Sequence, residues 1–331
     1  MDMKPLPWQQ GMWRRVIELA ERERLPHALM LTGAAGLGKE QFAEALVARM
    51  LCRMPGRGAE GYACGECHSC RMLQAGHHPD LLSVMPAEKG RLIRIDSVRE
   101  INEFVTQTAQ QGGYRVILLQ PAEGMTVAAA NALLKSLEEP GRHTLFVLLA
   151  DIPSRALPTI RSRCQQWSFA IPAPDQCLPW LREQFGDDDE ARFWLRVAGG
   201  QPLLAVELGQ GEARKLRQTL RDLFDALVRG AEPVAEAARL DRQSLAAILW
   251  YGIAWLEDLI RLGLSGDTAQ IRNPDLLPLY RQAVKNGRVR DWFRLLDYAR
   301  EQRRLLATGG NPNAQLVLES WLVRWSALLR S

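Results

Sequence analysis

The chain has 331 residues, more than one ordinary core, so two or three domains are expected. Apolar residues make up 47% and charged residues 24%, as in globular proteins, and a net charge of +4 is too small to argue for nucleic-acid binding by itself. No apolar run reaches the length of a membrane span, and residues 1–13 are polar and charged with no signal-peptide core. The expectation is a cytoplasmic protein with reduced thiols and no membrane partner.

In chain order, residues 28–32 (ALMLT) read as a buried strand ending in a glycine-rich turn. A helix follows with Phe42, Ala45, Leu46 and Met50 on one stripe. Residues 81–85 (LLSVM), 114–119 (YRVILL), 144–150 (TLFVLLA) and 165–169 (QQWSF) are further strands. Strands alternating with helices predict an α/β fold, a parallel sheet covered on both faces. Prolines in 171–175 (IPAPD) mark a linker, and a short helical unit broken at Gly199, Gly200 and Pro202 follows. From about residue 209 the pattern is helical. Leu216, Leu220, Leu223, Phe224 and Leu227 form one stripe, and Leu245, Ile248, Leu249, Leu256, Leu259 and Ile260 another. Trp292, Leu295, Leu296 and Ala299 start a third. The expected domains are 1–170, 171–208 and 209–331.

Gly33-Ala34-Ala35-Gly36-Leu37-Gly38-Lys39 lies between a strand and a helix, the context of a phosphate loop. Gly33, Gly36 and Gly38 would let backbone N–H groups converge on phosphates, and Lys39 would neutralise the outer ones. The next residue should be Ser or Thr, whose hydroxyl ligates Mg²⁺, but it is Glu40. The strand at 115–119 should end in acids that hold Mg²⁺, but Gln120-Pro121 follows, and Glu123 falls beyond the strand end. Two lost catalytic groups argue against hydrolysis. Nucleotide binding stays open beside a loop that only shapes the fold.

Cys52, Cys64, Cys67 and Cys70 (about 52–70) have the spacing C-x11-C-x2-C-x2-C. Four thiolates complete a tetrahedral Zn²⁺ shell with no open position, so the expectation is a structural zinc module. Iron–sulfur binding uses the same ligand type, and four unligated buried thiols are the plain alternative. His68 lies inside the run and could replace one cysteine, or stand exposed. Cys164 and Cys177 read as ordinary buried or semi-buried thiols, and His77 and His78 as loop residues without an identifiable catalytic partner. The tryptophans Trp250, Trp255, Trp321 and Trp325 read as core or subunit-contact residues.

These residues resemble the delta-prime family of the bacterial DNA polymerase III clamp loader, in the AAA+ superfamily. The match runs through Pro7-Trp8, Leu25-Pro26-His27-Ala28-Leu29, the loop, the four cysteines and His78-Pro79-Asp80. It continues with Asn131-Ala132-Leu133-Leu134-Lys135, Leu137-Glu138-Glu139-Pro140 and Ser162-Arg163-Cys164. Residues 311–325 look like the family's final collar helix. The resemblance implies an AAA+ domain, a lid at 171–208 and a collar for oligomerisation at 209–331. It implies that Arg163 enters the ATP site of a neighbouring subunit, in trans, although the bare triplet suits equally an arginine that holds the strand end by hydrogen bonds. It also implies that Leu203 stands where hydrolysing relatives carry a sensor arginine.

The implied function is a subunit without ATPase activity of its own, in a DNA-directed DNA polymerase holoenzyme. Its implied partners are gamma/tau and delta, with the sliding clamp and primed DNA reached through the complex. The alternative is a self-sufficient P-loop ATPase, resting on Lys39 and the glycines. A DNA-binding zinc module is a third reading, but Arg53, Arg57 and Arg71 near the cysteines are offset by Glu60 and Glu66.

Overall fold

The apolar runs pair as strands. β1 (Ala28–Thr32), β2 (Leu81–Val84), β3 (Arg115–Leu119), β4 (Thr144–Ala150) and β5 (Gln165–Ser168) form one parallel sheet in the order β2-β3-β4-β1-β5. All five predicted strands are present, with residues 85, 114 and 169 falling just outside. The computed structural model describes residues 3–55, 58–88, 91–307 and 310–330, and Arg57 lies outside them.

β1 and β4 are buried along their whole length, which is why their sequences are unbroken apolar runs, while the edge strand β5 is largely exposed. Alternate side chains serve opposite faces. Leu29, Leu31, Val147 and Leu149 pack with Trp13 of α1 (Gln10–Glu21), Phe42 and Leu46 of α2 (Lys39–Leu51) and Leu73 of α3 (His68–Gln74). Ala28, Met30, Phe146 and Leu148 pack on the other side. There they meet Val98 and Ile101 of α4 (Ile95–Thr106), Leu133 and Leu137 of α5 (Val127–Glu138) and Ile160 of α6 (Pro158–Arg161). The chain leaves β1 for β2 on one side and leaves β4 for β5 on the other. This opens a crevice at the carboxyl ends of two adjacent strands, the usual ligand position in such sheets.

Helices make up the rest: α7 (Pro174–Phe185), α8 (Asp188–Val197), α9 (Pro202–Gly209), α10 (Gly211–Val228) and α11 (Pro233–Ala238), then α12 (Leu245–Ser265), α13 (Leu277–Asn286), α14 (Val289–Ala307) and α15 (Ala314–Arg330). The chain forms two compact units, residues 1–186 with 201–204, and residues 187–200 with 205–331. In the second unit the three expected stripes face inward, Leu216 alone being half-buried. Phe224 meets Trp255, Trp321 and Trp325 edge-on, with ring centroids 5.2, 5.7 and 4.7 Å away. These three tryptophans are buried, and Trp250 is half-buried. No helix among the described residues is long and apolar enough to cross a membrane.

Gly252 sits inside α12, where glycine normally weakens a helix. The cause is Trp321: a Cβ on Gly252 would lie 2.0 Å from its Cζ2. Alanine would gain about 1 kcal/mol in helix propensity, but overpacking against a fully buried ring costs about 1–3 kcal/mol. Gly252→Ala is therefore expected to lower the urea midpoint followed by tryptophan fluorescence. A raised midpoint would mean that Trp321 has room to move.

Candidate functional site

β1 ends at Thr32, and the chain turns through Gly33, Gly36 and Gly38, with φ of 144°, 78° and 88°, before α2 begins at Lys39. The predicted loop is therefore built as a phosphate loop is, between strand and helix. Its surroundings are protein. A Cβ on Gly36 would lie 2.8 Å from Leu204 Cβ, and one on Gly38 would lie 2.4 Å from Leu6 Cδ1. The Leu203 N–H donates to the Gly36 carbonyl at 3.1 Å. Buried Gln9 donates through Nε2 to the Leu37 and Gly38 carbonyls at 3.1 and 2.7 Å, and the Trp8 indole donates to Leu37 at 3.0 Å.

Lys39 is 5% exposed. Its ammonium lies 2.6 Å from Asp151 Oδ1 and donates to the Ala34 carbonyl at 2.8 Å. The charge that would meet an outer phosphate already has a counter-ion. Asp151 follows directly on β4, and its turn is fixed by Glu123, whose Oε1 accepts from the N–H groups of Asp151 and Ile152 at 2.9 and 2.8 Å. Glu123 is thus a turn cap.

The two residues that stand where Mg²⁺ ligands were expected meet each other. Gln120, at the end of β3, donates through Nε2 to Glu40 Oε1. Desolvation and the nearby Glu44 and Asp151 carboxylates raise the Glu40 pKa, against the opposing pull of Lys39. An amide and a carboxylate satisfy one another without an ion.

Arg163 follows α6 and is one-third exposed. Its partners are Glu138 and Thr159, outside the loop. Nε donates to Glu138 Oε1 at 2.6 Å, Nη2 pairs with the same oxygen, and Nη1 donates to the Thr159 carbonyl at 3.0 Å.

The four cysteines come together, their Sγ atoms all within 4.8 Å of one another, so they could hold a metal ion. Cys64 and Cys70 Sγ lie 3.9 Å apart, against about 3.8 Å for thiolates around tetrahedral zinc with bonds of about 2.3 Å. Backbone N–H groups of Met54 and Cys64 point at Cys52 Sγ, that of Cys67 at Cys64 Sγ, and that of Cys70 at Cys67 Sγ, each at 3.4 Å. Burial raises the Cys67 thiol, but N–H donors from Cys70 and Arg53 and bonds from the Cys70 and Cys64 side chains outweigh it, bringing its pKa to about 6. Burial and Cys67 push Cys70 up. His68 is exposed and outside the cluster. Cys164 and Cys177 are buried apart from it, and burial raises both, Cys164 to about 12.

The family model described as "DNA polymerase III, delta subunit" matches residues 8–173, and the one described as "DNA polymerase III, delta subunit, C terminal" matches residues 212–327. The DNA polymerase III subunit delta' of Pseudomonas aeruginosa is 37% identical over 327 residues, covering 97% of each chain. That of Escherichia coli is 30% identical over 325 residues, covering 97% of this chain and 95% of its own. The chain belongs to the delta-prime family of the DNA polymerase III clamp loader. That of Bacillus subtilis is 38% identical over 208 residues, 62% of this chain and 61% of its own.

Family motifs that carried no chemistry in the sequence have physical tasks here. Pro7-Trp8 leads into the Gln9 clamp on the loop. His78, expected to be a loop residue with no catalytic partner, is in a loop but buried, whereas His77 is exposed. The Asp80 N–H donates to His78 Nδ1 at 3.0 Å, so the ring proton sits on Nε2 and is donated to Ser69 Oγ at 2.7 Å. The Ser69 hydroxyl in turn donates a hydrogen bond to the Leu51 carbonyl at 2.5 Å. Buried Asp80 accepts the N–H groups of Gln110 and Gln111 at 2.7 and 2.8 Å. This chain of bonds joins the cysteine segment to the start of β2. Only the fold brings Gln9, Asp151 and Ser69 to these partners.

Burial lowers the His78 pKa from its ordinary value of 6.5, helped by His68 and opposed by Asp80. The unfolded chain then binds this proton more readily, so stability is lost as pH falls below about 6.5. The urea midpoint should fall more steeply from pH 7.5 to 5.5 in the unsubstituted protein than in His78→Gln. Equal slopes would show that His78 contributes nothing to the pH dependence.

Proposed function

We propose that this chain is a non-hydrolysing clamp-loader subunit that helps load the sliding clamp onto primed DNA and supplies Arg163 to a neighbouring ATPase subunit. Its partners on this reading are gamma/tau and delta subunits. The observation that carries it is a contrast. Lys39 is engaged by Asp151 and Ala34, and Glu40 by Gln120, while Arg163 stands at an accessible edge with donors to spare.

The loop serves the fold and does not hold nucleotide. Its glycine faces are covered by Leu204, Leu6 and Gln9, and its lysine is neutralised. With a hydrogen-bonded Glu40–Gln120 pair where a hydroxyl and an acid would hold Mg²⁺, the residues do not fit a magnesium-nucleotide. Leu203 adds a backbone N–H to the Gly36 carbonyl and brings no guanidinium. A self-sufficient ATPase has only Lys39 and the glycines in its favour.

Arg163 would act on charge. A fixed guanidinium from the adjacent subunit can meet the negative charge of a transferring γ-phosphoryl group. In the reconstituted loader, Arg163→Ala is expected to slow the one neighbouring site by about 10³-fold and to lower DNA-stimulated ATPase by the share of that site. Unchanged turnover would sink the trans role.

The cysteine cluster is read as a structural Zn²⁺ site. Cys52, Cys64, Cys67 and Cys70 would hold the ion, which would staple the segment between α2 and β2 and leave no open position. One zinc per chain is expected by elemental analysis, with a lower unfolding temperature after chelation. Visible absorbance from iron and sulfide would overturn the zinc assignment.

A further inference from the structure

Glu138 is the last residue of α5, where a helix presents its carbonyl ends. A negative side chain there has the wrong sign for the helix dipole and weakens the helix slightly. Its location is accounted for by what it holds. One carboxylate oxygen, Oε1, takes both the Nε and the Nη2 protons of Arg163. The Thr159 carbonyl takes one Nη1 proton, and the Ser162 hydroxyl donates to the same carbonyl at 3.1 Å.

A guanidinium carries five N–H donors in a rigid plane. Three are engaged, all three by the chain's own α5 and α6 segments. The Nε/Nη2 edge is closed by Glu138, so the spare donors are on the two terminal nitrogens. Terminal nitrogens of a guanidinium are donors that phosphate oxygens can accept. The side chain is one-third exposed. A long, flexible side chain fixed in this way loses less freedom when it meets an anion.

We infer that Glu138 is the positioning residue for Arg163: it fixes the guanidinium through one edge so that the other faces the neighbouring subunit's nucleotide. The inference rests on the trans role proposed above for Arg163. Glu138 touches no nucleotide itself. It acts through the arginine, so its effect belongs to turnover and not to nucleotide affinity.

The test uses the reconstituted loader with Arg163→Ala, Glu138→Ala, Glu138→Gln and the double variant Arg163→Ala/Glu138→Ala. Glu138→Ala is expected to slow the neighbouring site by about tenfold with an unchanged apparent KM. Glu138→Gln keeps an oxygen acceptor and should restore most of the rate. In the Arg163→Ala background, Glu138→Ala should have no further effect, which a merely structural role would not reproduce. If Arg163→Ala alone leaves turnover unchanged, the trans role fails. If Arg163→Ala slows turnover and Glu138→Ala does not, only the positioning role of Glu138 fails. Faster turnover in Glu138→Ala would make Glu138 a restraint to be released, and would equally overturn the inference.

Discussion

The first unit depends on how one buried charge is compensated. Lys39 begins α2 at the carboxyl end of β1, and its side chain is almost fully enclosed. An ammonium removed from water needs a partner of opposite sign within a few ångströms, because removing that partner leaves a strongly destabilising charge. In a nucleotide-binding loop the phosphates can supply it. Here Asp151 at the end of β4 supplies it, and Glu123 fixes the turn that carries Asp151. The loop thereby links the ends of two central strands with the chain's own atoms. Gln9, Trp8 and Leu203 complete the enclosure by bonding to its carbonyls.

The replaced residues make sense as a set. A glutamate in place of a hydroxyl would repel phosphate, and a glutamine in place of an acid would not hold a cation. Each alone reads as damage, but together they form a donor–acceptor pair. On the proposed reading, the chain has replaced ion and nucleotide with internal bonds. Its chemical contribution is moved to Arg163, which is bound from one side by Glu138. The family membership and the parallel sheet stand independently of that reading.

Much of this was legible in the sequence. β1 and β4 are covered on both faces, so their runs are wholly apolar and their limits were read to the residue. The two x2 spacings leave Cys64, Cys67 and Cys70 little freedom to part, and Cys52 joins them from across eleven intervening residues. Gly33, Gly36, Gly38 and Lys39 are legible as a turn between strand and helix because that context is local. What escaped was contact between distant segments. Nothing local marks Asp151 as the partner of Lys39, Gln9 as a clamp or Leu204 as the cover of Gly36. The loop position of His78 is legible locally, but its burial depends on Ser69 and Asp80 meeting there. In the sequence Glu138 is only part of a motif, since its task exists only once α5 and α6 lie side by side.

The central claim is that the loop is closed on its own counter-ion. Titration calorimetry of ATP and ADP into the isolated chain, with and without Mg²⁺, tests it most directly. No saturable heat is expected under any of the four conditions. Magnesium-dependent binding that is abolished by Lys39→Ala would contradict it.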